Sequence, residues 1–348
     1  MKKLLYFYPA RSSFIVSDLE ILKKRYHVIE FNFNTKSKTF TPLRFIVQFF
    51  FILWHIGNGR IFFSQFAGYH SFLPSLLAKW FGRKHFIVLH GTECNNFPEL
   101  RYGFLMRPYL FWFSKKSIAW AYKLLPVSEY LVEQYYTYMD AVYSRQGLRA
   151  FYPQVKTPHV VVHNGAFPDM FKLLSTSDRP AKSFISVAGG LEESNRMLVK
   201  GLDMVCDLAA LLPDCTFAFI GAYNTQALNL PPNIVCLEYR PQDQLAELYN
   251  QYNFYLQVSV TEGMPIALIE AMMCGCIPIV SKVGIMPDMI GPHGYVLERK
   301  DLTLLKNLVK ELLNSNIPPD RNEIRQWAVS RYSMQTRENS LLEILANP

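Results

Sequence analysis

Apolar residues recur along this chain in two rhythms, short runs spaced by two and longer runs spaced by three or four. The first rhythm marks a strand, the second a helix lying on a core. In the first half the runs predict strands at residues 3–8, 26–33, 60–65, 85–89, 123–127 and 159–163, and a helix over 73–81. Ser17-Asp18-Leu19-Glu20 reads as a capping box, which predicts a helix starting there and running to about Arg25. A second series begins near Ser183. It predicts strands at 184–188, 216–221, 234–237, 254–257 and 277–280. Helices are expected over 202–212, over 244–251 and between the last two strands. Strand–helix alternation across two segments predicts an α/β chain of two doubly wound, parallel-sheet domains. The boundary is expected within 165–182, where Pro, Ser, Thr and Asp cluster.

Half of the 348 residues are hydrophobic, which excludes a disordered chain and supplies two cores. The longest apolar stretch, residues 45–54, is interrupted only by Gln48. It falls short of the roughly 20 residues a membrane span needs. Met1-Lys2-Lys3-Leu4-Leu5 imitates a signal peptide, but Pro9 and Arg11 cut the apolar run, so a first strand is expected there. The six cysteines include no CxxC pair, which argues against zinc and for buried thiols in a reducing, cytoplasmic compartment.

The net charge of +8 conceals an asymmetry. Residues 1–150 carry 20 Lys/Arg against 8 Asp/Glu, a net of +12, and the remainder carries 16 against 20, a net of −4. A basic half predicts an anionic partner. Lys79, Arg83, Lys84, Arg107, Lys115, Lys116 and Lys123 are interleaved with Trp80, Phe81, Phe111, Trp112, Phe113 and Trp120. That mixture suits either ordinary amphipathic helices with their lysines in water or peripheral docking on an anionic membrane surface, here the inner face of the cell membrane. No nucleic-acid-binding signature accompanies the charge, so nucleic acid is not an expected partner.

The most informative segment runs from Val260 to Pro278. A strand ends before it, a glycine-containing turn follows, and Pro265 stands where a helix can start. The N–H groups of Gly263, Met264 and Ile266, with the helix dipole, form an anion site suited to a diphosphate. Glu262 precedes this helix and Glu270 lies on its second turn, where a carboxylate can accept from pairs of sugar hydroxyls.

This segment resembles the Glu-x7-Glu motif of glycosyltransferase family 4, retaining enzymes of the GT-B fold. Residues 186–191 followed by Lys200-Gly201 resemble the family's phosphate-binding strand, loop and helix. Phe219-Ile220-Gly221, His163-Asn164-Gly165, His90-Gly91-Thr92-Glu93 and Val127-Ser128-Glu129 resemble further motifs in the family's order. The resemblance implies two Rossmann-like domains facing a central cleft. Residues 1–165 would bind acceptor and 166–325 the nucleotide-sugar, with a helix over 326–348 packing back towards the first domain. It implies a retaining transferase moving sugar from a nucleoside-diphosphate sugar to a glycan or lipid-linked acceptor, in cell-surface polysaccharide, lipopolysaccharide or glycolipid synthesis.

Carried over by position, Glu262, Lys200 and His90 are the catalytic candidates. Glu270, Gly263, Met264, Pro265, Ile266, Gly189, Gly190 and Tyr239 are the donor-binding ones. Where the family places an arginine after the first glycine, this chain has Gly190, and Arg196 is the nearest substitute. Arg11, Ser12, His70 and Glu93 are candidates for the acceptor side. His163, which replaces a proline of the pattern, is read as structural.

The departing diphosphate needs its charge stabilised, by a metal on Asp-x-Asp or by a cation with a helix N-terminus. None of the 11 Asp residues has another two positions away. The expectation is therefore transfer with no metal and no cofactor. Two rivals share the fold: a nucleotide-sugar epimerase and a non-catalytic nucleotide-sugar-binding protein.

Overall fold

The computed structural model describes residues 1–34, 39–57, 59–174, 179–192, 195–224, 228–315 and 319–347. In the first half β1 (Lys2–Tyr8), α1 (Ser13–Lys23), β2 (Tyr26–Asn32), α2 (Thr41–His55) and β3 (Gly59–Gln65) come first. They are followed by α3 (Tyr69–Trp80), β4 (Lys84–Leu89), α4 (Pro108–Trp120) and β5 (Lys123–Pro126). The strands form a parallel sheet in the order β2-β1-β3-β4-β5. A ribbon of β6 (Gln134–Tyr135) and β7 (Arg145–Gln146) and the short α5 (Leu148–Phe151) follow.

The second half begins with β8 (Ser183–Val187), α6 (Arg196–Val199), α7 (Leu202–Leu211), β9 (Thr216–Ala222) and β10 (Ile234–Glu238). It continues with α8 (Gln242–Gln251), β11 (Phe254–Gln257), α9 (Ile266–Met273), β12 (Ile277–Ser281), α10 (Met286–Ile290), β13 (Tyr295–Leu297) and α11 (Leu302–Asn314). Its parallel sheet runs β10-β9-β8-β11-β12-β13. Strands such as β4 and β12 are buried along nearly their whole length, as helices on both faces require. The strand order reverses between β1 and β3 in one sheet and between β8 and β11 in the other. Ligands of such sheets bind beyond the carboxyl ends of the strands at those points.

Two passages join the halves. Ala166 donates to the Tyr332 carbonyl (3.0 Å), and Met334 donates back to Ala166 (2.8 Å). These contacts fix the turn between α12 (Arg321–Tyr332) and α13 (Met334–Ala346). The last helix then lies against α1. Arg337 donates from Nε and Nη2 to the two carboxylate oxygens of Asp18 (2.6 and 2.7 Å) and from Nη1 to the carbonyls of Val162 and His163.

Three elements differ from expectation, each for a specific reason. The first helix starts at Ser13, not Ser17. Ser17 bonds back to the Ser13 carbonyl inside the helix, and Asp18 turns its carboxylate to Arg337 instead of the backbone. The helix expected at 73 starts at Tyr69, so Pro74 lies inside it. The His70 carbonyl that Pro74 cannot reach accepts from Gln48 of α2 (2.7 Å), which removes the usual cost. Residues 159–163 run beside β5 without forming a strand. Val160 and Val162 donate to Leu124 and Pro126, but Pro126 has no N–H to return the ladder. The apolar run at 45–54 lies within α2, and among the described residues no helix is long and apolar enough to cross a membrane.

Asp18 and Arg337 are both buried. Removing one partner leaves an uncompensated charge, so Asp18→Asn or Arg337→Leu should cost about 3–5 kcal/mol in urea unfolding. The double replacement Asp18→Leu with Arg337→Leu should cost less than the sum of the two single ones.

Candidate active site

The carboxyl ends of the two sheets face each other across a cleft of about 420 Å³. The second domain supplies its phosphate-sized end. Gly201 adopts φ +68, and a Cβ there would lie 2.1 Å from the Val258 carbonyl oxygen. Only glycine lets the turn between α6 and α7 sit this close to the segment after β11. The Lys200 ammonium is thereby set 2.7 Å from Glu262 Oε1. Gln257, at the end of β11, donates to the same oxygen (2.8 Å). Burial pushes the Glu262 carboxyl up, but the Lys200 charge and these hydrogen bonds outweigh it, and the group sits below the usual range. Glu262 is therefore an anion at neutral pH.

Arg196, one turn before Lys200, donates from Nε to the Gly189 carbonyl (2.9 Å) and lines the cleft with it. Gly190 does not line it; its N–H bonds to Gly221 (2.8 Å), which turns it away.

Glu270 comes from the buried face of α9. Its carboxylate accepts from Gln242 and from the Tyr249 hydroxyl (3.2 Å). Burial raises it to about 7, against the lowering effect of those two donors. The helix begins after Pro265, so its first N–H groups have no intrahelical acceptor and face the cleft beside Gly263 and Met264. Tyr239 stands at the rim with its ring 5.8 Å from that of Tyr223.

The first domain closes the cleft. A Cβ on Gly263 would lie 1.8 Å from the His90 carbonyl oxygen, so the two main chains touch only because position 263 is glycine. Asn164 Nδ2 bonds to the Met264 carbonyl (2.9 Å) and Asn95 Nδ2 to Thr261 Oγ1 (3.0 Å), fixing the same junction. The His90 ring lies between Phe14 (4.6 Å) and Phe66 (4.4 Å) and lines the cleft. Burial and the charge of Arg337 hold its imidazole well below the usual value, so it is neutral. Gln65 Nε2 donates to Tyr6 Oη and Asp18 Oδ2, which leaves Gln65 Oε1 as an acceptor 2.7 Å from His90 Nε2. The proton of His90 is thus on Nε2, and Nδ1 is the basic nitrogen.

Four acceptor-side expectations are placed differently. Arg11 is exposed and paired with Glu30 (3.0 Å), and Ser12 precedes α1; Ser13 and Phe14 line the cleft in their stead. Glu93 is fully buried and accepts from the N–H groups of His90 (3.1 Å) and Gly91 (3.3 Å), so it shapes the strand end from behind. His70 is buried on the Gln65 carbonyl (2.5 Å) and lines not the cleft but a cavity adjoining it at Phe66 and Thr92. His163 lies outside the cleft lining, packed near Tyr332. Gln257, Gln242, Phe66 and Thr92 line the cleft without having been singled out. Gln257 carried a signal, a polar residue closing an apolar strand.

Residues 194–330 match the family model described as Glycosyl transferases group 1. The second domain thus carries a group 1 glycosyltransferase module, and the chain has the GT-B fold. Among solved structures, sucrose-phosphate synthase from Thermosynechococcus elongatus is similar over 100% of this chain and 99% of that one, at TM-score 0.75 and 11% identity. HepE from Anabaena, in complex with UDP and glucose, matches over 100% of both chains at TM-score 0.72 and 13% identity. A UDP-forming trehalose-phosphate synthase from Burkholderia xenovorans matches over 99% of both at TM-score 0.67 and 11% identity. At these identities the likeness is one of fold. No curated protein matches this chain.

The burial of Glu93 has a measurable consequence. Desolvation raises its carboxyl to about 7, above the ordinary value near 4.5. The folded chain then holds a proton that the unfolded chain has released, so stability falls as pH rises from about 4.5 to 7. Glu93→Gln should flatten this slope, by on the order of 3 kcal/mol across the window, in thermal unfolding from pH 5 to 8.

Proposed function

We propose that this protein is a retaining, metal-independent glycosyltransferase. It moves a sugar from a nucleoside-diphosphate sugar to a glycan or lipid-linked acceptor. The observation that carries this reading is the set of groups in one cleft. Lys200, Arg196 and the open end of α9 form a cationic, N–H-rich corner, and Glu270 stands a helical turn further on. A diphosphate fits the corner and a ribose diol fits Glu270. The bound UDP or UDP-glucose of the HepE structures agrees with such a donor.

The chemistry follows from the charges. As the bond between the anomeric carbon and the diphosphate oxygen lengthens, negative charge grows on the leaving group. Lys200 and the α9 N–H groups are already aimed at that place, so they require no reorganisation. Glu262 keeps Lys200 oriented and, as an anion, can face the positive charge that develops on the sugar ring. Neutral His90 offers Nδ1 on the acceptor side. Retention of configuration is inferred from the resemblance of the Glu262–Glu270 segment to the retaining motif.

Two outcomes test this. Calorimetry with UDP-, GDP- and ADP-sugars should find one series that binds equally with and without EDTA. Because Glu270 must be ionised to accept two ribose hydroxyls and sits at about 7 when empty, that affinity should fall about tenfold per pH unit below this value. Glu270→Gln should weaken binding and remove the dependence. Lys200→Ala should lower kcat about 100-fold or more while the donor Kd changes less, read by product release. Full turnover in that variant would reject the leaving-group role.

A further inference from the structure

Beside the donor cleft lies a second cavity of about 880 Å³. It shares Phe66 and Thr92 with the cleft, so the two spaces adjoin. Its walls come from α2, α3 and α4 and are aromatic: Phe45 stacks on Phe113 (5.4 Å), and Tyr69 packs on Phe113 (5.0 Å). His70 in this wall is held at about 4 by burial and adds no charge at neutral pH. Arg107 is the cation among the described lining residues, and no carboxylate joins it.

The surface around the cavity has the same character. Thr41 and Pro42, the first turn of α2, line the cavity. From there Leu43, Ile46, Val47, Phe50 and Trp54 run along one stripe of the helix, and all are exposed, Phe50 by 63% and Trp54 by 86%. A stripe at this spacing ordinarily faces a core. Here Gln48 and Ile52 face the core and the stripe faces outwards. None of α2, α3 and α4 contains an Asp or Glu. Lys116 lies over the Trp112 and Trp120 rings (5.8 and 5.6 Å), and Lys79 over Trp120 (6.0 Å). Apolar rings with ammonium groups and no carboxylates complement an anionic lipid surface.

We propose that this cavity is the acceptor subsite and that the acceptor is an amphiphile drawn from a lipid surface on which α2 rests. The hydrocarbon chain fills the aromatic cavity, its anionic group meets Arg107, and the reacting hydroxyl enters the cleft past Phe66 and Thr92. The bond from the anomeric carbon to the diphosphate breaks and the bond to the acceptor oxygen forms. The hydroxyl proton leaves with the diphosphate. The inference rests on the donor reading of the cleft.

The test titrates the full chain with butyl, octyl and dodecyl phosphate below their micelle concentrations, with inorganic phosphate as the chainless control. Affinity should rise roughly fourfold for each methylene that is buried. Tyr109, at the cavity rim and 80% exposed, can be changed without disturbing the core. Tyr109→Glu should weaken dodecyl phosphate at least tenfold and leave butyl phosphate unchanged, and Arg107→Ala should weaken all three phosphates by one common factor. Sedimentation with phosphatidylglycerol vesicles should fall in Phe50→Ser/Trp54→Ser. The nucleotide-sugar titration on the same samples separates the two readings. Loss of donor binding in the wild type removes the donor site. Intact donor binding with affinities independent of chain length overturns the amphiphilic acceptor. A dimer dispersed by Phe50→Ser/Trp54→Ser, without vesicle binding, overturns the lipid surface.

Discussion

The buried pair between Asp18 and Arg337 is the constraint on which the site depends. It joins the first helix of the chain to the last, across a separation that spans both domains. A bidentate contact of this kind is geometrically strict, and its strictness is passed on. Asp18 Oδ2 also accepts from Gln65 Nε2 (2.7 Å), and Gln65 Oε1 then fixes the proton on His90 Nε2. The C-terminal helix therefore sets the tautomer of a cleft histidine without touching the cleft. The Arg337 charge also helps keep that histidine neutral. Stability of the domain arrangement and the acid–base state of the site are one network.

Across the cleft, one motif yields two carboxylates of opposite character. Glu262 and Glu270 are eight positions apart, and both are buried from water or nearly so. What separates them is the partner. Glu262 faces an ammonium and stays charged, while Glu270 faces only an amide and a phenol and is held near 7. Two carboxylates whose environments push them apart can take different roles in one reaction. The division suits a donor whose two ends differ, with a developing cation at one and neutral hydroxyls at the other.

Much of this was legible in the chain. Apart from β13, the strands of both sheets followed from runs of apolar residues, because parallel strands covered on both faces need them. Gly263 and Pro265 located the α9 turn, since only glycine tolerates the His90 main chain and proline suits a helix start. Two of the misplaced elements, the starts of α1 and α3, share a cause, a tertiary partner that accompanies the shift from the local signal. Ser17 looks like a helix cap, but it lies inside α1, whose Asp18 is taken by Arg337 from the far end of the sequence. Pro74 looks like a helix start until Gln48 takes the carbonyl it strands. Glu93 followed a cleft histidine in sequence and was expected on the acceptor side, but its carboxylate turns back to accept from the His90 and Gly91 N–H groups. No spacing rule encodes such long-range partners.

The Gly190 departure shows the limit of reading roles by position. A second cation near the donor phosphates need not follow the strand directly. Arg196 and Lys200 are four residues apart and so fall on one face of the α6 turn, the spacing at which side chains become neighbours. The turn bends back, and Arg196 reaches the Gly189 carbonyl, the strand end itself. The guanidinium thus arrives where an arginine at 190 would have begun. Gly190 is then free to adopt φ +71 and to bond Gly221, which joins β8 to β9 at the edge of the cleft. Electrostatics at a leaving group depend on where charge sits in space. On the proposed donor reading, a helix that brings two cations to one corner supplies the charge that an arginine fixed next to the strand would have.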